Sequence, residues 1–293
     1  MNNVQSGILE STPPVSRYLI FSLTEQGEAR RSLRALRDIA DGRQTIVGFG
    51  QSLVLALGAI VPGLRTAPCY AGVGFDVPST PFALWCWLRG DDRGELLHRA
   101  KRINRALAPA FRLEQVIDAF TYGTGRDLTG YEDGTENPKD ERAPEVAFVR
   151  GQGDGLDGSS FVAVQQWVHD LDRFDAKSTQ EQDNTIGRRR SDNDEIEDAP
   201  PSAHVKRATQ ESFDPAAFML RRSMPWADGS CAGLVFVAFG TSLDPFEAVL
   251  RRMVGAEDGI VDALFTFTRP ISGAFFWCPS MQDGRLDLRL LGV

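Results

Sequence analysis

Apolar positions recur in two patterns along the first part of the chain. Short apolar runs predict strands at 17–23, 82–88 and 115–122. Apolar residues three and four positions apart predict helices at 28–40 and 95–107. This part is therefore predicted to run in the order strand, helix, strand pair, helix, strand.

The second part of the chain has a similar order of elements. Apolar runs predict five strands, and one segment has apolar residues at helical spacing. The strands are predicted at 160–167, 218–222, 234–239, 264–267 and 274–277, and the helix at 245–254. No sequence repeat links the two parts, so their similarity rests on the order of the elements alone. We expect two similar α+β halves.

Two segments of unusual composition interrupt these elements. Residues 139–157 are rich in proline, glycine and charge, and predict a boundary between a unit at 1–145 and a unit at 146–293. Residues 175–201 contain almost no large apolar side chain, so they are predicted to form a loop on the surface or over a site. A solvated linker is the alternative, although long unstructured loops in compact domains are often functional.

Composition and charge restrict the class of protein. The chain has 293 residues, of which 42% are hydrophobic and 25% are charged, so it can build a sizeable core. Its length fits two domains or one large domain with an internal duplication. The net charge of −8 argues against nucleic acid or an anionic membrane as a principal partner, because both repel a negative surface. A local cationic patch remains open.

The cysteines and the first residues predict a cytoplasmic protein. The four cysteines form no C-x-x-C pair and have mostly apolar neighbours, which predicts buried reduced thiols at Cys69, Cys86, Cys231 and Cys278. Residues 1–16 contain no basic segment followed by an apolar one, as a secretion signal would require. The longest apolar stretch, 52–61, is too short to span a membrane.

The segment 130–138, with the sequence GYEDGTENP, places one carboxylate, Asp133, between two glycines. An Asp-Gly pair is typical of a turn, because Asp bonds its own backbone and glycine tolerates positive φ. A turn is therefore the first interpretation of this segment, and the residues further along the chain decide whether Asp133 also has a chemical role.

Two later segments give that carboxylate a context. A histidine lies in AHVKR at 203–207, and an arginine opens RRSMP at 221–225. Together with Gly-x-x-Asp-Gly at 130–134, these segments resemble the dye-decolourising peroxidases, which are haem proteins, and in particular their compact bacterial B-type branch. Residues 164–170 and 185–188 are also similar to family segments, and the resemblance covers nearly the whole chain.

The resemblance implies a fold and a cofactor. The fold would be two ferredoxin-like halves, each an antiparallel sheet with helices on one side. The cofactor would be haem b, with one iron per chain, held mainly by the C-terminal half.

A ferric haem needs one strong axial donor, and the chain contains three histidines. His98 lies in a predicted helix and fits a surface position, and His169 ends a predicted strand and fits a structural hydrogen bond. The resemblance assigns the proximal ligand to His204. An acceptor on its Nδ1 would orient the ring, and Asp262 is the candidate, with a helix cap or turn as its alternative role.

On the other side of the haem, peroxide must lose a proton from one oxygen and regain it on the other. The resemblance assigns this transfer to Asp133, and the stabilisation of negative charge to Arg221. Arg222 is the rival, since neighbours on a strand face opposite sides. Ser223 would share the face of Arg221, and Arg188 would bind a haem propionate. Glu136 and Asn137 are given no role.

The resemblance thus predicts a haem peroxidase that reduces hydrogen peroxide through a ferryl intermediate. It would oxidise small aromatic, phenolic or dye donors by one-electron steps. A haem-handling protein that delivers or releases iron or porphyrin is the alternative, and a non-haem α+β dimeric scaffold is a third class. A homo-oligomer, a dimer or larger, is expected, without a clear encapsulin-targeting tail. Electron relays for large donors would come from Tyr131, Trp167, Trp226 or Trp277, each of which could instead be a core aromatic.

Overall fold

The computed structural model describes residues 3–293 and contains helices and antiparallel strands. The strands are β1 (Val15–Leu23), β2 (Thr45–Phe49), β3 (Tyr70–Gly72), β4 (Phe75–Val77), β5 (Leu84–Gly90), β6 (Phe111–Phe120), β7 (Ser160–His169), β8 (Leu220–Arg221), β9 (Met224–Asp228), β10 (Cys231–Gly240), β11 (Thr268–Pro270), β12 (Ala274–Cys278), β13 (Met281–Gln282) and β14 (Arg285–Leu286). The α-helices are α1 (Ala29–Arg37), α2 (Gln51–Ala56), α3 (Arg93–Leu107), α4 (Arg142–Ala147), α5 (Leu171–Asp175), α6 (Thr179–Ile186), α7 (His204–Ala208) and α8 (Asp244–Met253).

The first part of the chain builds a four-stranded antiparallel sheet in the order β2-β5-β1-β6. Helices α1 and α3 pack against each other, and α3 also contacts β1 and β5. Their apolar stripes are buried at Leu33 and Leu36 of α1 and at Leu96 and Ile103 of α3. The strands and helices predicted for this part are confirmed, with shifts of a few residues at their ends.

The second part builds another four-stranded antiparallel arrangement, in the order β12-β7-β10-β9, with β11 beside β7 and β8 beside β10. Helix α8 packs through Phe246, whose ring lies 5.7 Å from Phe236 of β10 and 5.6 Å from Phe275 of β12. The amphipathic segment predicted at 245–254 is therefore the helix that covers this sheet.

The two four-stranded arrangements join at their edges and pack face to face. Trp277 of β12 pairs with Phe49 of β2, and Ala119 of β6 pairs with Trp226 of β9. Between the faces, aromatic side chains of both sheets are in contact; for example, the rings of Trp85 and Phe239 lie 6.4 Å apart. The predicted mixed fold of helices with antiparallel strands is confirmed.

Three predictions about local structure are wrong. The hydrophilic segment 175–201 contains helix α6, whose capping box pairs Ser178 with Glu181 and satisfies the first backbone N–H groups without any apolar face. The strand predicted at 264–267 is instead a 3-10 helix at Ala263–Thr266, which begins with the Asp262 side chain as its cap.

The third error concerns the thiols. All four cysteines are free, but only Cys86 and Cys278 are buried. Cys69 lies just before the short β3–β4 hairpin, and Cys231 follows the turn between β9 and β10, so both are exposed. Among residues 3–293, no helix combines the length and the apolar character needed to cross a membrane.

Candidate active site

A cavity, here called the site cavity, lies on the helix side of the second sheet. Alternate residues of β7 and β10 face it, as expected for side chains two positions apart on a strand. Helices α7 and α8 and the loop at 127–133 complete its wall. Most of the lining is apolar: Trp167, Leu234, Phe236, Phe246, Val249, Leu250, Met253, Leu264 and Phe267. Such a wall excludes water from the polar groups that project into it.

His204 projects into the site cavity from the first position of α7. Its Nδ1 lies 2.8 Å from Oδ2 of Asp262, whose side chain is completely buried. The other oxygen of Asp262 accepts a hydrogen bond of 2.9 Å from the backbone N–H of Leu264. Asp262 therefore has both of the roles that the sequence left open, as cap of the 3-10 helix and as partner of the histidine. Because a carboxylate only accepts, His204 carries its proton on Nδ1 and its Nε2 is available as a ligand.

The loop that carries Asp133 is built by glycines and short backbone hydrogen bonds. Gly130 and Gly134 have φ of +86° and +78°, which is the left-handed region that glycine adopts without strain. The Asp133 N–H donates to the carbonyl of Gly125 at 3.2 Å. The turn predicted from Asp-Gly is thus present, and it holds the carboxylate at the wall of the site cavity.

Asn137 fastens this loop to strand β8, a role that the sequence analysis missed. Its Oδ1 accepts a hydrogen bond of 2.8 Å from the backbone N–H of Arg221, and its Nδ2 donates one of 3.0 Å to the Arg221 carbonyl. These two bonds tie together the segments that carry Asp133 and Arg221. Asn137 follows directly on the Gly-x-x-Asp-Gly segment, but no feature of the sequence shows which strand its side chain would meet.

Arg221 and Asp133 both line the site cavity. The Nε of Arg221 is buried and has no hydrogen-bond partner among residues 3–293, so this donor is free to bind a ligand. Burial raises the pKa of the Asp133 carboxyl, which the charge of Arg221 opposes and the charge of Asp127 reinforces. The carboxyl is thus shifted toward the range in which it both accepts and returns a proton.

Arg222 lies on the opposite side, as expected for the neighbour of Arg221. Its guanidinium donates to the carbonyl oxygens of Ile8 and Leu9 at 3.0 and 2.7 Å. Burial lowers the pKa of Arg222 to about 10. This arginine fastens the N-terminal segment to the sheet and does not line the site cavity.

Ser223 and Arg188 lie outside the site cavity. Ser223 lines an adjoining cavity, together with Asp133 and Arg221, and its Oγ accepts from the N–H of Val237 at 3.3 Å. The guanidinium of Arg188, only 12% exposed, donates to Oε1 of Glu136 at 2.7 Å.

Some of the other histidines and aromatic candidates line the site cavity, and the rest lie elsewhere. His98 is exposed on α3, as predicted. His169 ends β7 and forms side-chain hydrogen bonds, as predicted, but it also lines the site cavity. Of the aromatic candidates, Tyr131 and Trp167 line that cavity, whereas Trp226 and Trp277 are buried elsewhere in the core.

Known proteins with similar sequences and structures share one description. A family model for the C-terminal part of Dyp-type peroxidases matches residues 124–283, which is more than half of the chain. The dye-decolorizing peroxidase of Mycolicibacterium paratuberculosis is 28% identical over 94% of this chain and 83% of its own length. That of Mycobacterium tuberculosis is 26% identical over 94% of this chain and 88% of its own.

Solved structures agree with these sequence matches. A dye-decolorizing protein from Vibrio cholerae superposes with a TM-score of 0.87 at 27% identity, covering 98% of both chains. A variant of DypB from Rhodococcus jostii RHA1 in complex with heme has a TM-score of 0.85 at 24% identity over 93% of this chain, a likeness that concerns the fold alone. The chain belongs to the Dyp-type peroxidase family, whose members are oxidoreductases that act on peroxide.

Proposed function

We propose that this peroxidase binds one haem b in the site cavity, reduces hydrogen peroxide, and oxidises small aromatic, phenolic or dye donors one electron at a time. One observation carries this proposal. A histidine with a fixed tautomer, a carboxyl with a raised pKa and an arginine with an unpaired donor all line one apolar cavity. A haem carrier needs the first of these groups but not the other two.

The residues of the cavity fit a haem. His204 would hold the haem iron through Nε2, because Asp262 occupies Nδ1. The apolar wall suits the porphyrin ring. When bound, the haem supplies the redox chemistry that these side chains lack. Arg188 forms an ion pair with Glu136. To bind a haem propionate, its guanidinium would have to exchange Glu136 for the propionate.

The roles of the side chains follow from their chemistry. Asp133, as carboxylate, takes the proton from one oxygen of peroxide, while Arg221 holds the resulting anion. As the bond between the two oxygens breaks, Asp133 returns the proton to the departing oxygen, which leaves as water. Arg221 is positively charged at every working pH, so it stabilises the negative charge throughout. Ser223 adds a polar group to the adjoining cavity rather than to the site cavity.

We also propose that the two halves of the fold are ferredoxin-like units at 1–145 and 146–293, with the haem held mainly by the second. The strand orders β2-β5-β1-β6 and β9-β10-β7-β12 support this. When the four strands of each half are numbered along the chain, both sheets have the order second, third, first, fourth. Most residues of the site cavity follow residue 146, and the first unit adds only the loop at 127–133. Helix α4 spans the boundary, so a test that separates the units should cut within 150–158.

The partners and compartment predicted from the sequence stay proposals. The net charge of −8 supports small-molecule partners over nucleic acid. A homo-oligomer of a dimer or larger, in the cytoplasm, is the arrangement that we expect. Sedimentation of the purified protein tests the assembly.

The proposed function is tested by the visible spectrum and by turnover. Purified protein reconstituted with haem should show a Soret band and should oxidise a phenol or dye only when hydrogen peroxide is present. The variant His204→Ala should bind little haem, whereas His98→Ala, a matched control on exposed helix α3, should keep the Soret band. Normal haem binding by the His204 variant would overturn the ligand assignment. Haem binding without peroxide turnover in the parent would favour the haem-handling alternative.

A further inference from the structure

A second histidine–aspartate pair lies at the wall of the site cavity, and the mechanism above does not use it. The Nε2 of His169 is 3.0 Å from Oδ2 of Asp127, and the two side chains are 5% and 17% exposed. Both residues line the site cavity, as does Asp133. A buried pair of ionisable groups beside a reacting carboxyl is a candidate for proton transfer.

Hydrogen bonds fix both members of this pair. The Nδ1 of His169 lies 2.6 Å from Oγ1 of Thr268, and this hydroxyl lies 3.0 Å from the carbonyl oxygen of Val168. The other oxygen of Asp127 accepts from the backbone N–H of Thr129 at 2.9 Å and from its hydroxyl at 2.6 Å. Burial alone would raise the pKa of Asp127, but the bonds from His169 and Thr129 lower it below the ordinary value.

The hydrogen-bond partners of the ring define where its proton lies. The Nε2 of His169 faces a carboxylate, which only accepts, so Nε2 donates to Asp127. The Nδ1 of His169 faces the Thr268 hydroxyl, whose one hydrogen can go to this nitrogen or to the Val168 carbonyl. The ring thus has a proton on the side of Asp127 and an exchangeable partner on its other side.

The position of His169 connects two spaces. His169 and Thr268 line the site cavity and also an open groove, here called the outer groove. The groove is formed by 168–173, 227–232 and 265–269 with Gly74. Asp127 lines the site cavity but not the groove. The pair thus forms part of the wall between the proposed reaction site and a solvent-filled surface groove.

The proposed reaction consumes protons in that cavity. Reduction of one hydrogen peroxide to two waters takes up two electrons and two protons. A phenol releases one proton with each electron, so phenol oxidation balances without an outside source. A donor that gives only electrons, such as ferrocyanide, leaves both protons to be supplied by the protein or the solvent.

We propose that His169 is the proton donor to the site cavity, placed between Thr268 and Asp127 and recharged from the outer groove. The Nε2 proton passes to Oδ2 of Asp127, and from there across the cavity to Asp133, which delivers it to the peroxide oxygen that remains after the first water has left. His169 then regains a proton from groove water. This inference rests on the proposed peroxidase function, and it makes Asp127 and His169 participants through Asp133 rather than groups that touch peroxide.

The test compares two donors in haem-loaded protein. His169→Gln should lower turnover with ferrocyanide about tenfold or more, the size of effect that proton-transfer groups reach. Turnover with a phenol should fall less. His98→Gln is the matched control and should change neither rate, because His98 is exposed on α3.

A second measurement does not depend on turnover. Nitrogen-15 spectra of the full-length chain, with and without haem, should show a proton on Nε2 of the His169 ring, the nitrogen that faces Asp127, with His169→Gln identifying the signal. Asp127→Asn keeps an oxygen for Thr129 but turns its NH₂ group toward Nε2, so it should move the ring proton to Nδ1.

The outcomes separate the possibilities. A ring proton on Nδ1 alone in the parent, or unchanged ferrocyanide turnover in His169→Gln, overturns the proton-donor role. An equal loss with both donors shows that the pair is only structural. If the parent itself turns over neither donor, the proposed peroxidase function has failed rather than the role of His169.

Discussion

The substitution Asp262→Asn tests how the structure prepares His204 for a metal. Asp262 has two acceptor oxygens in use, one for the His204 ring and one for the backbone N–H of Leu264. Asparagine has only one oxygen. If that oxygen keeps the bond to Leu264, the amide NH₂ group faces Nδ1 of His204, which must then accept. The ring proton moves to Nε2, the atom that would bind iron.

The magnitude follows from this competition. Loss of the group that orients a metal-binding histidine typically lowers metal affinity about 10–100-fold, or about 1.4–2.7 kcal/mol. The alternative is that the asparagine turns its oxygen to the ring and leaves the Leu264 N–H unpaired, which costs about 1–3 kcal/mol for a buried donor. Because Asp262 is completely buried, water cannot fill either role. The first route weakens haem binding, whereas the second keeps the tautomer and lowers the free energy of unfolding.

Titration of haem into haem-free protein, followed at the Soret band, measures the effect. The matched control is Asp258→Asn, on the same loop, which weakens the pair between Asp258 and Arg207 but leaves the His204 contact intact. We expect weaker haem binding only in the Asp262 variant. Unchanged haem affinity together with an unchanged free energy of unfolding in Asp262→Asn would refute the argument that this carboxylate sets the tautomer.

Three further predictions concern the rest of the cavity. Arg221→Leu should slow the reaction with peroxide by about 10²–10³-fold, and by more than Asp133→Asn does, because water can relay a proton but cannot replace a fixed charge. Stopped-flow mixing measures both rates, and a larger loss in the Asp133 variant would reverse the two roles. Burial raises the pKa of Asp133, so its carboxylate is lost as the pH falls through that raised value. The parent should therefore lose peroxide reactivity on the acid side at a pH above the ordinary pKa of an aspartate, and Asp133→Asn should show no such step in its pH profile. At most one of Tyr131→Phe and Trp167→Phe should slow the oxidation of bulky dyes while sparing small phenols, because only these two of the aromatic candidates line the cavity; if neither variant changes either rate, the relay is absent.

Local patterns predicted the elements well where one face of a segment is buried. Helix α8 and strand β7 were predicted within a few residues, because their apolar spacing reflects the packing that stabilises them. Helix α6 was missed, because it is stabilised by its capping box rather than by an apolar stripe. The Ser178 and Glu181 pair was visible in the sequence as Ser-x-x-Glu, so this error could have been avoided.

Contacts between distant segments were beyond the reach of local patterns. The resemblance to a family pointed to Asp133, His204 and Arg221, and the structure brings all three to one cavity. Nothing in the sequence shows that Asp127 meets His169, because they are 42 positions apart and each fits an ordinary turn or strand end. A side chain whose partner is set by the tertiary fold leaves no periodic signal.

Asn137 shows how such contacts determine the geometry of the site. Asp133 lies on a glycine-rich loop whose buried Tyr131 packs against Phe174, whereas Arg221 lies on a two-residue strand paired with β10. The two hydrogen bonds between the Asn137 side chain and the backbone of Arg221 connect this loop directly to the sheet. They leave the Arg221 side chain free, since only its N–H and carbonyl are used. The relative position of the Asp133 carboxyl and the Arg221 guanidinium therefore depends on an amide that touches neither functional group, and two groups proposed to act together from separate segments need such a connection.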